Sequence, residues 1–562
     1  MAMVARGVVR VGTRGSTLAL VQAALAAAAL REAGATVQVE TIATDGDRRT
    51  PDTTWGEGAF VTAIEQALRD GRVDVAVHSA KDLPVDQDPG LAIAAYLPRA
   101  QVDDVLVMPA GHSASALVDL PAGTRVGTDS PRRTAFLRAA RPDLVVHPLH
   151  GNVDTRLRRL DAGETDALVL AAAGLRRLGR EDRISVVLPF ETIPPAPGQG
   201  ALAMQVRADD GGLRRMVATL DDGSTRRAVE AERAVLAAAG GGCRASLGAL
   251  GTIVDGRLRL RVGYATTDGQ VAALASADGD ATSTVVRVAL ERLAKRAMES
   301  AAAVADSDRP RVVVARVPER SAALTLALID RGFSPLVVPT IDIETVHGSA
   351  LDGLIQRLTA ATWVVVTSVA AVEALITAAA RDGFALAAAA SRWAAVGATT
   401  AQALRSAGVA VSFRPDRETA VDLGDTLPLL PGQTVLLVRG DLADDDFPRR
   451  LTERGAVVHS AVVYRTTEAP AGSRDLLRAA LTARPRAVVM TSPSTVRGWL
   501  QLARDIGAEA EARAIDVVAI GPTSAAAARE HDLRVVAQAA TPRPADIAEA
   551  VRSSFHAPEE TK

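Results

Sequence analysis

Short apolar runs rich in β-branched residues alternate along the chain with alanine-rich stretches of helical composition. Val8–Val11 precedes such a stretch over Thr17–Glu32, and further short runs lie at Val73–Val77, Ala167–Leu170, Val312–Ala315 and Val435–Val438. Strands that alternate with helices in this way are typical of α/β domains. The pattern therefore predicts an α/β fold, and the length of 562 residues predicts several domains rather than one core.

The chain divides after a long predicted helix that ends near Ala303. Val304–Pro310 follows this helix, is polar and contains a proline, as is typical of a linker. Beyond it the sequence is duplicated. Arg316 and Arg439 end apolar runs 123 positions apart, and three further pairs keep nearly the same interval: Gly332 and Gly455, Ser368 and Ser492, and Gly397 and Gly521. We expect two similar α/β lobes in this part of the chain.

The first half contains a weaker repeat. Arg10–Ser16 and Arg125–Ser130 each combine the end of a predicted strand, a Val-Gly-Thr turn and the start of a predicted helix. Backbone N–H groups, a hydroxyl and an arginine at a helix start are well suited to binding an anion. Two such turns would fit a cleft that holds a polyanion, although capping of the helices by Ser16 and Ser130 explains the same residues.

Composition narrows the class of protein. Hydrophobic residues make up 48% and charged residues 23%, with a net charge of −2, so nothing favours nucleic acid as a partner. No charge-free apolar run reaches about 18 residues, and Met1–Arg10 lacks a signal-peptide pattern. We therefore expect no membrane span and a cytoplasmic location. Cys243 is the only cysteine, which excludes an internal disulfide and a thiolate metal cluster.

Two short motifs contain candidate reactive groups. Lys81 and Asp82 follow the predicted strand Val73–Val77, where an amine and a carboxylate are well placed for acid–base chemistry, but a surface ion pair is the alternative. Cys243 follows three glycines and precedes Arg244, a setting that can activate a thiol, but a small buried residue in a turn is the alternative. The residues alone leave both alternatives open.

Eight motifs of the first half occur in a fixed order: VGTRGSTLALVQA, DVAVHSAKDLP, VGTDSPRRTAFL, HGNVDTRLRRLD, LAAAGLRRLG, PAPGQGALAMQVR, AERAVL and GGCRASLG. Their order and spacing resemble hydroxymethylbilane synthase, also called porphobilinogen deaminase, from about residue 8 to residue 303. The resemblance implies an enzyme that condenses four porphobilinogens head to tail and releases ammonia. It also implies a dipyrromethane cofactor, held on a cysteine by a thioether bond.

The same resemblance assigns roles to individual residues. It implies that Cys243 carries the dipyrromethane and that Asp82 is the catalytic carboxylate, which acts at the pyrrole nitrogens and the leaving amine. It further implies a set of positions that hold the acetate and propionate side chains: Lys81, Arg14, Ser16, Arg132, Arg133, Arg156 and Arg177. Each added pyrrole brings two carboxylates, so many fixed cations are expected, and arginine binds carboxylates in a bidentate manner.

Three positions depart from the family's pattern. Glu57 stands where a lysine is expected, Asp129 where a serine is expected, and His150 where an arginine is expected. The formal charge is thereby more negative by about 4 at neutral pH with the histidine uncharged. We expect weaker binding of the cofactor or of the growing chain, because added negative charge opposes carboxylate binding.

The duplicated half resembles uroporphyrinogen-III synthase over about residues 310 to 553. The resemblance rests on the joint order of short motifs, among them VVVAR, VVVTS, AVG, LVRG, VVYRT, VVMTSP and AIGPT. It implies two α/β lobes joined by a two-stranded connector, and an activity that closes hydroxymethylbilane into a ring with inversion of the last pyrrole. It implies that Tyr464 assists departure of the hydroxyl and that the substrate contacts Thr399, Ser492, Thr523 and Ser524.

Together the resemblances imply a bifunctional enzyme of tetrapyrrole synthesis, with porphobilinogen and hydroxymethylbilane as substrates. The first half is expected to comprise two α/β lobes similar to those of binding proteins, lobe 1 at about 1–100 and 201–218 and lobe 2 at about 106–194, and a small α+β cysteine domain at about 223–303. A linker at 304–310 and a two-lobed α/β synthase half at 311–562 follow. The alternative is a first half that only binds tetrapyrrole-like polyacids, with an active cyclase after it.

Overall fold

The computed structural model describes residues 8–43, 61–240, 246–304, 309–346, 353–443 and 445–556. Glu57, Cys243, most of the predicted linker and both termini lie outside these ranges. The described chain is a mixed α/β protein with five sheets. No helix among the described residues is long and apolar enough to cross a membrane.

The first part of the chain forms two five-stranded sheets. Its elements are β1 (Val9–Thr13), α1 (Thr17–Glu32), β2 (Val37–Thr41), α2 (Thr62–Arg69), β3 (Val75–Ser79), β4 (Leu91–Tyr96), β5 (Asp104–Val107), β6 (Arg125–Gly127), α3 (Pro131–Ala140), β7 (Val145–His147), α4 (Val153–Asp161), β8 (Ala167–Ala171), α5 (Ala172–Arg177), β9 (Val186–Leu188), β10 (Leu202–Arg207) and α6 (Gly211–Ala218). The sheet orders are β2-β1-β3-β10-β4 and β7-β6-β8-β5-β9. In the first sheet β1 is parallel to β2 and β3; in the second, β6 is parallel to β7 and β8.

The sequence pattern accounts for these elements. The helix predicted over Thr17–Glu32 has these bounds, and its alanines and Leu30 pack against the sheet. The apolar run at Val73–Val77 becomes β3, which begins two residues later than predicted and is buried at all but its last position. Continuous burial is typical of a strand covered on both faces. Because β1 and β6 run parallel to their neighbours, the turns that follow them lie at the carboxyl ends of these strands. These are the two turns that the sequence predicts to bind anions.

Two segments cross between these sheets, residues 97–103 and 189–201, and they touch each other closely. Gly200 has a φ of +87°, and a Cβ there would lie 2.5 Å from the carbonyl oxygen of Ala100. Only glycine fits this position without strain. The crossing is therefore fixed by backbone contact.

A third unit contains the antiparallel sheet β11-β12-β13 and two long helices. Its elements are α7 (Gly223–Ala238), β11 (Leu247–Val254), β12 (Arg257–Ala265), β13 (Ala272–Gly279) and α8 (Thr282–Ala303). Glu232 on α7 is fully buried and accepts two hydrogen bonds from Arg99 of the crossing segment, at 2.6 and 2.9 Å. The same carboxylate accepts the N–H groups of Gly198 and Gly251, each at 2.7 Å. One side chain thus joins the third unit to both crossing segments.

The duplicated half forms two more sheets with the orders β15-β14-β22-β23-β24 and β16-β21-β20-β17-β18-β19. Its elements are β14 (Arg311–Val314), α9 (Pro318–Asp330), β15 (Ser334–Val337), β16 (Ile341–Thr345), α10 (Leu354–Ala360), β17 (Trp363–Val366), α11 (Val369–Arg381), β18 (Arg392–Ala395), α12 (Ala398–Ser406), β19 (Val411–Phe413), α13 (Ala420–Thr426), β20 (Thr434–Gly440), α14 (Asp446–Glu453), β21 (Val457–Glu468), α15 (Arg474–Thr482), β22 (Ala487–Met490), α16 (Pro493–Asp505), α17 (Glu509–Arg513), β23 (Asp516–Ala519), α18 (Pro522–Glu530), β24 (Val535–Gln538) and α19 (Pro544–His556).

The duplication is visible in the strand pairing. β14 pairs in parallel with β15 and β22, and β20 pairs in parallel with β21 and β17. Each lobe therefore combines strands from both copies of the repeat. The long strand β21 also pairs antiparallel with β16, with Tyr464 opposite Thr345. This strand pair carries the chain between the two sheets.

The two halves of the chain share one apolar core. Ala322, Leu326 and Ile329 of α9 belong to the same buried cluster as the sheet β11–β13 and helix α8. Polar contacts flank this cluster: the hydroxyl of Tyr264 donates to the carbonyl of Leu326 at 3.0 Å, and Thr267 donates to Asp330. The sequence alone gave no indication of this contact, because the apolar face of α9 has the pattern of an ordinary core helix.

Glu232→Ala is expected to destabilise the protein by about 3–5 kcal/mol, because it leaves the two terminal nitrogens of Arg99 and two backbone N–H groups without their acceptor. Glu230→Ala on the same helix is the matched control. Glu230 is exposed and pairs with Arg226, so its loss should cost less than about 1 kcal/mol. Urea unfolding followed by circular dichroism measures both, and equal midpoints for the two variants would contradict the role of Glu232.

Candidate active sites

The first site lies where the β1–α1 turn meets the end of β3. An open cavity there is lined by Thr13, Arg14, Ser16, Gln22, His78 and Asp82, together with apolar residues of α1 and α2. Ser16 caps α1, since its Oγ accepts the N–H of Ala19 at 3.3 Å. The predicted cap therefore forms, and Ser16, Leu18 and Ala19 at the start of α1 line the cavity.

Lys81 and Asp82 lie in a short 3-10 turn, Ala80–Asp82, directly after β3. Asp82 lines the cavity, as expected for a residue at the end of a central strand. The ammonium of Lys81 lies 3.4 Å from Oε1 of Gln199 on the crossing segment. Burial lowers the pKa of Lys81 to about 8, against the attraction of Asp82. Lys81 and Asp82 are both partly buried, and Lys81 also contacts the crossing segment.

Arg132 and Arg133 begin α3 and are almost fully buried. Both contact the fully buried carboxylate of Asp104, at 2.8 and 2.7 Å. Burial alone would raise the pKa of Asp104, but the two guanidinium groups hold it well below its ordinary range. Arg132 also donates to the carbonyl of Pro194. This pair is thus anchored from behind by an internal acid and keeps a net positive charge.

Arg156 and Arg177 are the two remaining predicted cations of this site. Nε of Arg156 is buried and has no hydrogen-bond acceptor among the described residues, and burial lowers the pKa of Arg156 to about 10. A desolvated guanidinium without an acceptor fits a ligand that brings carboxylates. Arg177 donates to the carbonyl of Gly200 at 2.7 Å, and burial lowers its pKa. The donor set therefore suits a polycarboxylate group such as dipyrromethane.

The departures Asp129 and His150 lie next to each other. Nδ1 of His150 lies 2.8 Å from Oδ1 of Asp129, and both side chains are largely buried. The two atoms do not have the alignment of a hydrogen bond, so the contact is an electrostatic one. Asp129 also attracts Arg156. The two departures thus contact each other rather than acting as separate changes, whereas Glu57 lies outside the described residues.

Several site residues were not singled out by sequence reasoning. Asp104 and Gln199 organise the arginines and Lys81, and Gln199 donates to Asp104 at 3.0 Å. His78 hydrogen-bonds through Nε2 to Gln205 at 3.0 Å, and Gln205 donates to Glu65 at 2.9 Å. Burial lowers the pKa of His78 to about 4. An acidic residue opening the apolar run Asp104–Val107 was the available signal for Asp104.

Cys243 lies outside the described residues, so the structure does not bring it to the cationic site or separate it from that site. The described chain stops at Gly240, just after α7, and resumes before β11. No cluster of three or more potential metal ligands occurs among the described residues.

The second site centres on Tyr464 of β21. Its ring packs on Gly440, where an added Cβ would lie 2.4 Å from the ring. Its hydroxyl accepts a hydrogen bond from Oγ of Ser368 at 3.2 Å, and Ser368 caps α11 by accepting the N–H of Ala371. Tyr464 is thus held at a helix N-terminus.

The other predicted residues of the second half also lie at helix starts. Ser492 caps α16, with its Oγ accepting the N–H of Thr495 at 3.2 Å. Thr399 and Thr523 are exposed in the first turns of α12 and α18, whereas Ser524 is buried. Ser492, Thr523 and Ser524 follow neighbouring strands of one sheet, and Thr399 follows a strand of the other.

The contact between Asp129 and His150 should be measurable as a coupling. Asp129→Asn and His150→Gln are each expected to reduce the unfolding free energy, and the double variant should lose about 1 kcal/mol less than the sum. Urea unfolding of the four proteins gives the coupling directly. Strict additivity would show that the two residues do not interact.

Comparison with known proteins agrees with this division of the chain. The family model described as "Porphobilinogen deaminase, dipyromethane cofactor binding domain" matches residues 9–215, and that described as "Uroporphyrinogen-III synthase HemD" matches residues 322–549. The porphobilinogen deaminase of Mycobacterium marinum is 49% identical over 248 residues, which are 44% of this chain and 78% of that protein. The enzyme of the same name from Roseiflexus sp. is 48% identical over 266 residues, 46% of this chain and 87% of that protein.

Among solved structures, a mutant uroporphyrinogen III synthase from Thermus thermophilus matches with 24% identity and a TM-score of 0.36, over 44% of this chain and 98% of that one. The cationic first site and the matches to its relatives agree with the resemblance seen in the motifs. The chain belongs to the porphobilinogen deaminase family, and its C-terminal half is a domain of the uroporphyrinogen-III synthase family.

Proposed function

We propose that this chain catalyses two consecutive steps of tetrapyrrole synthesis. The first half condenses four porphobilinogens to hydroxymethylbilane with release of ammonia, and the second closes that bilane to uroporphyrinogen III. The observation that carries the first step is the buried set of cations around the end of β3, which matches the many carboxylates of a growing polypyrrole. The two activities belong together because the product of one is the substrate of the other.

In the first half, Cys243 would carry the dipyrromethane, which supplies the pyrrole end onto which the chain grows. Asp82 would hold and move protons at the pyrrole nitrogens and the leaving amine, since a carboxylate beside the cavity is within reach of a bound substrate. Arg14, Ser16, Lys81, Arg132, Arg133, Arg156 and Arg177 would bind carboxylates. Asp104 would orient the arginine pair without cancelling its charge.

In the second half, Tyr464 would assist departure of the hydroxyl, and Thr399, Ser492, Thr523 and Ser524 would contact the substrate. The hydrogen bond from Ser368 supports this role for Tyr464, because it fixes the phenol oxygen at the start of α11. Few other acid–base groups lie at these helix starts, so the fold of the bound substrate carries much of the selectivity.

The finer domain limits are part of the same proposal: lobe 1 at about 1–100 and 201–218, lobe 2 at about 106–194, the cysteine domain at about 223–303 and the synthase half at 311–562. The strand and helix bounds of the described residues are compatible with them. A cytoplasmic location fits a pathway whose substrates are small polar acids. We propose no nucleic-acid or membrane partner.

The charge of Lys81 should set a pH limit on the first step. Its pKa of about 8 means that the ligand-free enzyme loses this cation as pH rises through 8 rather than near 10. We expect kcat/KM for porphobilinogen to fall above pH 8, and Lys81→Arg to remove this fall because a guanidinium stays charged. Lys295→Arg, on the exposed face of α8, is the control and should keep the wild-type profile. Parallel profiles for the wild type and Lys81→Arg would refute the assignment.

Products formed from porphobilinogen test the two activities in one tube. After oxidation, the wild-type chain should give uroporphyrin III, because both halves act. Cys243→Ser should give no porphyrin and should lack the dipyrromethane mass that the wild type carries. Tyr464→Phe should consume porphobilinogen at the wild-type rate but give more of isomer I, which forms by spontaneous closure.

Each other result has a definite meaning. Isomer I alone from the wild type would show that the second half is inactive. No porphyrin, with the cyclase still active on supplied hydroxymethylbilane, would show that the first half is only a binding module. An unchanged isomer ratio in Tyr464→Phe would remove that residue from the reaction.

A further inference from the structure

Arg316 is a cation in the second half that has no charge partner among the described residues. It follows β14 and precedes α9, at the carboxyl end of a buried strand. Its guanidinium makes no hydrogen bond and no ion pair with any described residue, and the residue is partly buried. Burial, together with repulsion from Arg320, lowers the pKa of Arg316 to about 10. A desolvated cation without an acceptor destabilises the folded protein, so a role in binding a ligand would explain why this arginine is present.

The internal repeat shows what is missing around Arg316. Its counterpart Arg439, 123 positions later, lies 2.7 Å from the carboxylate of Asp445. The residue 123 positions before Asp445 is Ala322, which packs into the apolar core shared with the first half. The two copies of the repeat therefore present the same arginine, but among the described residues only the second copy supplies an acid for it.

The surroundings of Arg316 are those of an anion site. β14 pairs with β22, so Arg316 lies at the same sheet edge as Ser492 and the N-terminus of α16. The next strand, β23, leads to Thr523 and the N-terminus of α18. Helix N-termini at a common edge add positive potential to that of the guanidinium.

This edge faces the other lobe. Arg320, on the first turn of α9, forms an ion pair of 2.6 Å with Glu373 of α11. α9 follows β14 in one sheet, whereas α11 follows β17 in the other. The ion pair therefore links the two lobes close to Arg316 in the chain.

We propose that Arg316 binds a carboxylate of the polypyrrole substrate in the cleft of the second half, in place of the acid that Asp445 supplies to Arg439. The proposal rests on the proposed cyclase function and adds to it a specific cation for the acetate or propionate side chains. A guanidinium holds a carboxylate with two parallel hydrogen bonds, which would fix one pyrrole ring relative to Tyr464.

The test uses the full chain with freshly prepared hydroxymethylbilane. Arg316→Gln should raise KM for formation of uroporphyrinogen III at least tenfold with kcat changed less than threefold, and Arg316→Lys should lie between this variant and the wild type. Arg311→Gln is the matched control, because Arg311 is exposed at the opposite end of the same strand. The rate of porphobilinogen consumption by the first half serves as an internal control of folding and should not change in any variant.

A second readout separates substrate binding from a structural role. Without substrate, Arg316→Met should unfold at the same or a higher temperature than the wild type, because it removes a desolvated cation. A lower unfolding temperature, or a KM for Arg316→Gln within twofold of the wild type, would overturn this inference while leaving the cyclase function intact. A wild-type chain that forms only isomer I would instead refute the proposed function itself.

Discussion

The carboxylate of Asp104 is the group on which the first site depends. Cations that await a substrate repel one another and lose hydration when they are buried, so a pocket built only from arginines would be unstable. Asp104 offsets this cost for Arg132 and Arg133 from the protein side, and Gln199 links the same carboxylate to Lys81. A single internal charge leaves the cluster positive, which keeps it able to bind acids.

The two halves handle buried charge differently. The first concentrates cations around an internal acid and leaves Arg156 without an acceptor at one side. The second relies on helix N-termini and hydroxyls. Arg439 pairs with Asp445, whereas Arg316 has no ion-pair partner in the part of the chain that the structure describes. A reaction that holds a growing chain through many carboxylates needs the former, whereas a single folded substrate is held by fewer contacts. The first half therefore has more buried cations because it must hold a growing polypyrrole, whereas the second half holds one substrate molecule.

Much of the fold could be predicted from local sequence. The helix over Thr17–Glu32 and the strands near Val75 and Ala167 follow apolar patterns that depend only on neighbours in the chain. The contacts of Asp104 with Gln199, and of Asp129 with His150, could not be predicted, because they join separate loops and segments. From the sequence alone, Asp129 and His150 are two independent losses of positive charge, whereas in the structure their side chains lie in contact.

The apolar cluster shared by α8, α9 and the sheet β11–β13 makes the join between the halves more than a tether. A gene divided within residues 305–308 would yield two proteins, each with part of this cluster open to water. Both fragments would expose an apolar patch, which would favour aggregation unless the two fragments bound each other. Because the two halves are covalently joined, each half is synthesised together with the apolar surface that covers its own part of the cluster.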